Sequence, residues 1–236
     1  MSYDVLKKAG IVIFISIFMT ILVAVESLYL VPWSPYFLIY AALAIIIPFI
    51  TKSYKFGKFI DIFRGRKLRI FIITFASALI LSVVLDYIYF SILSILGLKG
   101  DPFFDLNAAL ENLASVAGEK FGISTLDAML IYAIYVVIWA PIGEELFYRG
   151  YIYGELKEKY GFAISMLISS FFFGIRHSTH FLLLLPLFPT VSAIYWAVST
   201  FFFGIIMIYA YEKSDSLYTP MLIHFLANVI SIMLQF

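Results

Sequence analysis

The chain has 236 residues, of which 63% are hydrophobic and 13% charged, with a formal net charge of +1. Soluble domains are about half apolar and a quarter charged, so this composition, with mean hydropathy +1.01, predicts an all-α polytopic membrane protein: one integral membrane domain over residues 1–236. It has no basic patch for nucleic acid, and with no cysteine it has no disulfide, thiolate metal site or cysteine nucleophile.

Lys7 and Lys8 precede an apolar run from Ile11 to Val25 that continues to about Val31 without a small-residue cleavage site, so it reads as an uncleaved first span. A spanning helix needs about 20 apolar residues, and the candidates are 9–31, 36–51, 68–97, 126–143, 161–177, 190–211 and 216–236. The amphipathic stretch 144–160 extends the fourth helix past a kink at Pro141, so the bundle has seven or eight spans. The three spans of residues 1–97 carry no motif; the candidate catalytic core is 125–236.

Loop charge sets orientation. Segment 52–69 carries Lys52, Lys55, Lys58, Arg64, Arg66, Lys67 and Arg69 against Asp61. Segment 98–125 carries Asp101, Asp105, Glu111 and Glu119 against Lys99 and Lys120. The first is expected in the cytoplasm, with the N-terminus, and the second outside. Phe56, Phe59, Ile60 and Phe63 fall at helical spacing and predict a short interfacial helix in the basic loop. Phe103, Phe104, Leu106, Leu110, Leu113 and Val116 predict another outside.

Ionisable groups at membrane depth are functional-site candidates. Glu144 and Glu145 are adjacent, with Arg149 four residues on. Residues four apart share a helix face, so Glu145 and Arg149 stack. Glu144 points roughly 100° away and is left for chemistry. Both glutamates in a structural ion-pair network is the alternative. Phe173-Gly174-Ile175-Arg176-His177 follows, and Tyr160-Gly161 between them is a turn. If 144–159 and 162–177 form an antiparallel hairpin, Glu144 and His177 lie at one level. His224 and Asn228 share a face of the last span, placed either to stabilise an oxyanion or to hydrogen-bond between helices.

Other polar residues carry less. Glu26 and Asp86 read as partners of buried cations or as interface groups, with lining of the cavity as the lesser alternative. His180 falls in a loop. Trp196, Phe201, Phe202, Phe203 and Gly204 form an aromatic face with a small residue for close helix approach, which reads first as packing.

Glu144-Glu145-x-x-x-Arg149, Phe173-x-x-x-His177 and His224-x-x-x-Asn228, in this order within a polytopic protein, resemble the CPBP family of intramembrane proteases, over roughly residues 125–236. That family includes the type II CAAX prenyl endopeptidases and the Abi and bacteriocin-immunity homologues. The resemblance implies a cytoplasm-facing, glutamate-dependent peptidase without cofactor or metal. Glu144 would activate water, His177 would position it, and His224 and Asn228 would stabilise the oxyanion. Glu145 and Arg149 would support them. The implied substrate is a prenylated CAAX protein, losing its C-terminal tripeptide, or a related membrane-associated peptide. Arg176 departs from the pattern, since family members often carry an apolar or small residue there. Glu144, Glu145 and a substrate carboxylate are its candidate partners. Arg176, Phe173 and Trp196 are candidate substrate contacts.

Two other readings stay open. Glu144, Glu145, His177 and His224 could chelate zinc, although no His-Glu-x-x-His signature is present. A transporter or immunity protein also carries intramembrane carboxylates, although no internal repeat is visible. Isoleucine, phenylalanine and lysine usage points to a prokaryotic cell membrane. Span counting places His177 near the outer end of span five. A cytoplasmic site then requires the hairpin to project through its polar end, Glu155, Lys157, Glu158 and Lys159.

Overall fold

A computed structural model describes residues 3–27, 37–99, 106–183 and 190–235, which are helical throughout apart from short turns and loops. The helices are α1 (Tyr3–Ser27), α2 (Phe37–Thr51), α3 (Gly65–Ile95), α4 (Leu106–Phe121), α5 (Thr125–Ile134), α6 (Ala140–Glu144), α7 (Gly154–Leu183), α8 (Thr190–Ser214) and α9 (Tyr218–Gln235). Two π-helical segments, Tyr135–Trp139 and Glu145–Tyr153, weld α5, α6 and α7 into one continuous rod. Among the described residues, four stretches are long and apolar enough to cross a membrane: Lys7–Val25, Gly65–Ile95, Thr125–Thr179 and Val191–Ser214. Two shorter apolar helices, Ile39–Thr51 and Tyr218–Met233, accompany them. Phe14, Ile73, Ile80 and Val83 are exposed on α1 and α3, as side chains facing lipid would be.

The rod folds back once, at Gly161 (φ 72°, ψ −177°). This is a left-handed conformation that glycine adopts without a Cβ clash. The two legs run antiparallel in the expected register. The Tyr148 and Phe173 rings meet at 5.0 Å, and Ser169 Oγ donates to the Tyr148 carbonyl at 2.6 Å. The second leg continues to Leu183, beyond the expected limit at 177. It packs mainly against α8, while α1 packs on α7, α3 on α8 and α2 on the second π segment.

Close approach of α7 and α8 requires small residues. A Cβ on Gly174 would lie 2.7 Å from the Ala197 carbonyl oxygen, and one on Gly204 would lie 3.0 Å from Ser170 Cβ. Gly204 thus performs the role expected of it. Gly174→Ala meets backbone that cannot rotate away. We expect this variant to lose about 1–3 kcal/mol, the usual cost of overpacking, read as a lower Tm in detergent.

The kink expected at Pro141 is a change of helical register. In the π pattern each N–H reaches back five residues, as Ala140 does to the Tyr135 carbonyl. Pro141 has no N–H to give the Val136 carbonyl. Asn228 Nδ2 donates to it instead, at 2.8 Å.

One expectation needs correction, and two others are met in part. The basic loop holds a 3₁₀ turn at Phe59–Phe63 in place of an interfacial helix beginning at Phe56. Gly57, at φ 66°, separates the two. Ile62 is the buried residue of the turn, and Phe56 and Phe59 pack on the Tyr218 ring at 5.1 and 5.6 Å. In α4 the buried seam is Ala114 and Ala117 against Ala128, and Val116 is exposed. Small side chains let α4 lie close against α5. The side chains of Leu106, Leu110 and Leu113, like residues Phe103 and Phe104, fall outside the described set. Among the described residues no cation pairs with Asp86: this partly buried carboxylate accepts the Tyr195 hydroxyl instead, joining α3 to α8. The side chains of Glu26 and His180 also lie outside the described set.

The polar end of the hairpin has company. Lys8 pairs with Glu155 at 2.7 Å, Lys157 and Tyr153 both reach Glu212, and Lys55 pairs with Asp215 at 3.0 Å. The Leu217 N–H donates to the Lys55 carbonyl at 2.8 Å. The hairpin turn, the N-terminal lysine and the basic loop therefore share one end of the bundle.

Candidate active site

Glu144 and Glu145 sit where the rod passes from α6 into the second π segment. Both are buried, at 1% and 0% exposure, as are Arg149 at 0% and Arg176 at 3%. Four charges inside an apolar bundle must be matched, because an isolated buried ion costs several kcal/mol or more. They cancel in pairs. Arg149 Nη1 lies 3.1 Å from Glu145 Oε1, with its guanidinium over the Phe173 ring at 4.3 Å. Arg176 Nη1 lies 2.5 Å from Glu144 Oε1. The Glu145–Arg149 stack follows the face argument. Glu144 departs from it, being clamped on one oxygen by the arginine one residue before His177.

Its other oxygen is open. Glu144 Oε2 has no hydrogen-bond partner. It points between two imidazoles, 3.8 Å from His177 Nε2 and 4.0 Å from His224 Nε2. These separations exceed a direct hydrogen bond but leave room for a small reactant touching all three atoms. Backbone and carboxylate set the tautomers. His177 Nδ1 donates to the Phe173 carbonyl at 2.8 Å, so its Nε2 is the acceptor, taking Arg176 Nη1 at 3.1 Å. His224 Nδ1 donates to Glu145 Oε1 at 2.8 Å, which turns its Nε2 toward Glu144.

Glu144, Glu145, Arg149, Phe173, Arg176, His177 and His224 thus converge. Asn228 lies one turn past His224 with its amide committed to Val136. Trp196 stands on α8 beside Ala197, at the level where Gly174 crosses that helix. Two contributors carried no signal in the sequence. Tyr135 accepts Arg176 Nη2 on its hydroxyl at 3.0 Å. Tyr40, from α2, sets its ring 5.4 Å from the same guanidinium. Each is one tyrosine among 17 and joins the site only through tertiary packing. Phe203, read as packing, places its ring 5.2 Å from His224.

The site does not suit a metal ion. Among the described residues no three His, Asp or Glu side chains are disposed to hold one. The guanidinium of Arg176 also lies against both Glu144 and His177, where it would repel a divalent cation.

A buried carboxylate, two imidazoles aimed at its free oxygen and a matched pair of arginines form one polar cluster inside an apolar bundle. Residues 126–230, a stretch holding every one of these groups except Tyr40, match the family model described as Type II CAAX prenyl endopeptidase Rce1-like. That segment is thus similar to the family's domain, and at family level the match supports a CAAX-type intramembrane protease. No curated protein and no solved structure matches it.

Proposed function

We propose that this protein is a glutamate-dependent intramembrane endopeptidase that removes the C-terminal tripeptide from prenylated CAAX proteins or cleaves a related membrane-associated peptide. The observation that carries the reading is Glu144 Oε2, which is buried and unpartnered and faces two imidazole nitrogens. A water held by these three atoms loses a proton to Glu144 as its oxygen attacks the scissile carbonyl. A positioned general base of this kind contributes about 10²–10⁴-fold. His177 and His224 orient the water. His224 and Asn228 border the oxyanion, as the family resemblance assigns, and Trp196 and Phe173 flank the peptide. Glu145 and Arg149 hold the rod and the His224 ring.

An apolar groove of about 280 Å³ supports the prenyl part. Ile138, Pro141 and Ile142 line one wall, and Met221, Leu222 and Phe225 the other. These residues flank Glu144 and His224 along the chain, so a lipid tail in the groove would hang its peptide beside them. Leu222→Trp should fill the groove and raise KM for a farnesylated peptide about tenfold, about 1.4 kcal/mol, with little change in kcat. The basic loop at the polar end of the hairpin supports an opening to the cytoplasm.

Cleavage of a fluorogenic farnesylated CAAX peptide by protein purified in detergent tests the reading. Turnover that resists chelators and disappears in Glu144→Ala is the expected result. Turnover that survives in that variant would sink it, and loss to chelator would return the zinc mechanism.

A further inference from the structure

The basic loop carries far more positive charge than the protein itself neutralises. Lys55 pairs with Asp215. Lys52, Lys58, Arg64, Arg66, Lys67 and Arg69 make no ion pair among the described residues. Lys58, Arg64, Arg66 and Arg69 are exposed. They flank the 3₁₀ turn Phe59–Phe63, in which Ile62 is buried while Phe59, Ile60 and Phe63 are about half exposed. Cations and uncovered apolar side chains therefore stand side by side.

Their depth follows from the length of α3. It has 31 residues, about 46 Å at 1.5 Å per residue, against roughly 30 Å for the hydrocarbon core of a bilayer. Charges are costly within that core, so the excess length places the first two turns, with Arg66, Lys67 and Arg69, among the headgroups. The first turn holds no acidic residue, and no side chain caps it. Several cations thus repel one another at the positive end of the helix dipole, an arrangement that a nearby anion relieves.

We propose that Lys58, Arg64, Arg66 and Arg69, with the Phe59–Phe63 turn, form a docking surface for anionic phospholipid headgroups of the bilayer that holds the protein. A guanidinium takes two phosphate oxygens in parallel. The apolar side chains decide between a lipid and a soluble anion. A nucleic acid or an acidic protein would leave Phe59, Ile60 and Phe63 against water. A phospholipid brings a phosphate to the arginines and acyl chains to the rings. Basic clusters beside a spanning helix attract anionic lipid in this way.

The surface is continuous with the apolar groove. The Lys55 N–H donates to the Tyr211 hydroxyl at 3.0 Å, the Leu217 N–H donates to the Lys55 carbonyl at 2.8 Å, and the Ser216 hydroxyl donates to the Phe56 carbonyl. A Cβ on Gly57 would lie 3.2 Å from Ser216. The loop is thereby pinned to the turn between α8 and α9. Just beyond the pin, Phe59 lines the groove together with Tyr218, the first residue of the helix that carries His224. A lipid held by the arginines fixes the Phe59 wall. On the reading of the groove given above, it then favours binding of the prenyl chain.

The test uses the full chain in phosphatidylcholine nanodiscs with a rising fraction of phosphatidylglycerol. Native mass spectrometry of the released protein should find phosphatidylglycerol retained in preference to phosphatidylcholine. Arg64→Gln/Arg66→Gln/Arg69→Gln should lose most of that preference, since each cation near an anionic surface contributes roughly fivefold. Lys99→Gln/Lys120→Gln, in the opposite loop, should keep it. All five side chains are exposed, so the fold survives their replacement. In the same discs, phosphatidylglycerol should lower KM for a farnesylated peptide several-fold in wild type and not in the arginine variant, with kcat unchanged. Equal retention of the two lipids by wild type would overturn the proposal and leave the cations to a soluble anion. So would a preference that the two variants keep, or lose, alike. A wild-type KM indifferent to phosphatidylglycerol would overturn the link to the groove. Absence of any cleavage would defeat the peptidase reading instead, because lipid retention is read without substrate.

Discussion

Glu144→Gln is expected to lower kcat/KM by about 10²–10⁴-fold and, unusually for an active-site carboxylate, to lower stability as well. The stability loss follows from Arg176. Its guanidinium is buried against Glu144 Oε1 at 2.5 Å, and a glutamine leaves it charged and unmatched. Breaking one side of a buried pair typically costs about 3–5 kcal/mol. Removing the second charge should reverse that. The double variant Glu144→Gln/Arg176→Met should regain most of the lost stability in thermal unfolding while staying inactive. Recovery of cleavage together with stability would mean that Glu144 is only half of a structural ion pair.

The second large effect belongs to the other pair, with the opposite pattern in activity. Arg149→Met leaves Glu145 buried with His224 as its remaining partner and removes the cation from the Phe173 ring. We expect a loss of about 3–5 kcal/mol. Glu145→Gln/Arg149→Met should restore stability. It should also restore part of the activity, because a glutamine oxygen can still accept the His224 Nδ1 proton. The contrast between the double variants is the useful measurement. The Glu144 pair should be rescued in stability alone, the Glu145 pair in stability and turnover. If both double variants behave alike, the division between a reacting and a supporting glutamate is wrong.

These expectations also explain why the two arginines are not interchangeable. Arg149 is four residues from Glu145 on the same rod and braces it locally. Arg176 comes from the returning leg and ties Glu144 to His177 across the hairpin. The π segments on either side of α6 bear on this, since register changes of this kind are frequent at functional sites. Here the missing N–H of Pro141 draws Asn228 onto Val136 and so fixes α9, with His224, against the glutamates.

The sequence alone determined whatever depends on neighbours along one helix or across one short turn. The stacking of Glu145 on Arg149 follows from spacing. The meeting of Glu144 and His177 follows from counting outward from Gly161, because a tight antiparallel turn leaves the two legs a single register. The burden of apolar residues likewise settled that the chain is a helical membrane protein. Tertiary structure decided the rest. Which carboxylate Arg176 would take depended on the rotation of one leg about its axis, which periodicity does not set. That Asn228 serves a carbonyl in the fourth span, 92 residues earlier, depended on the π register at Pro141 and on the approach of α9. Tyr40 joined the site from a span without any motif, because the packing of α2 on the second π segment is encoded by complementary surfaces and not by any local pattern.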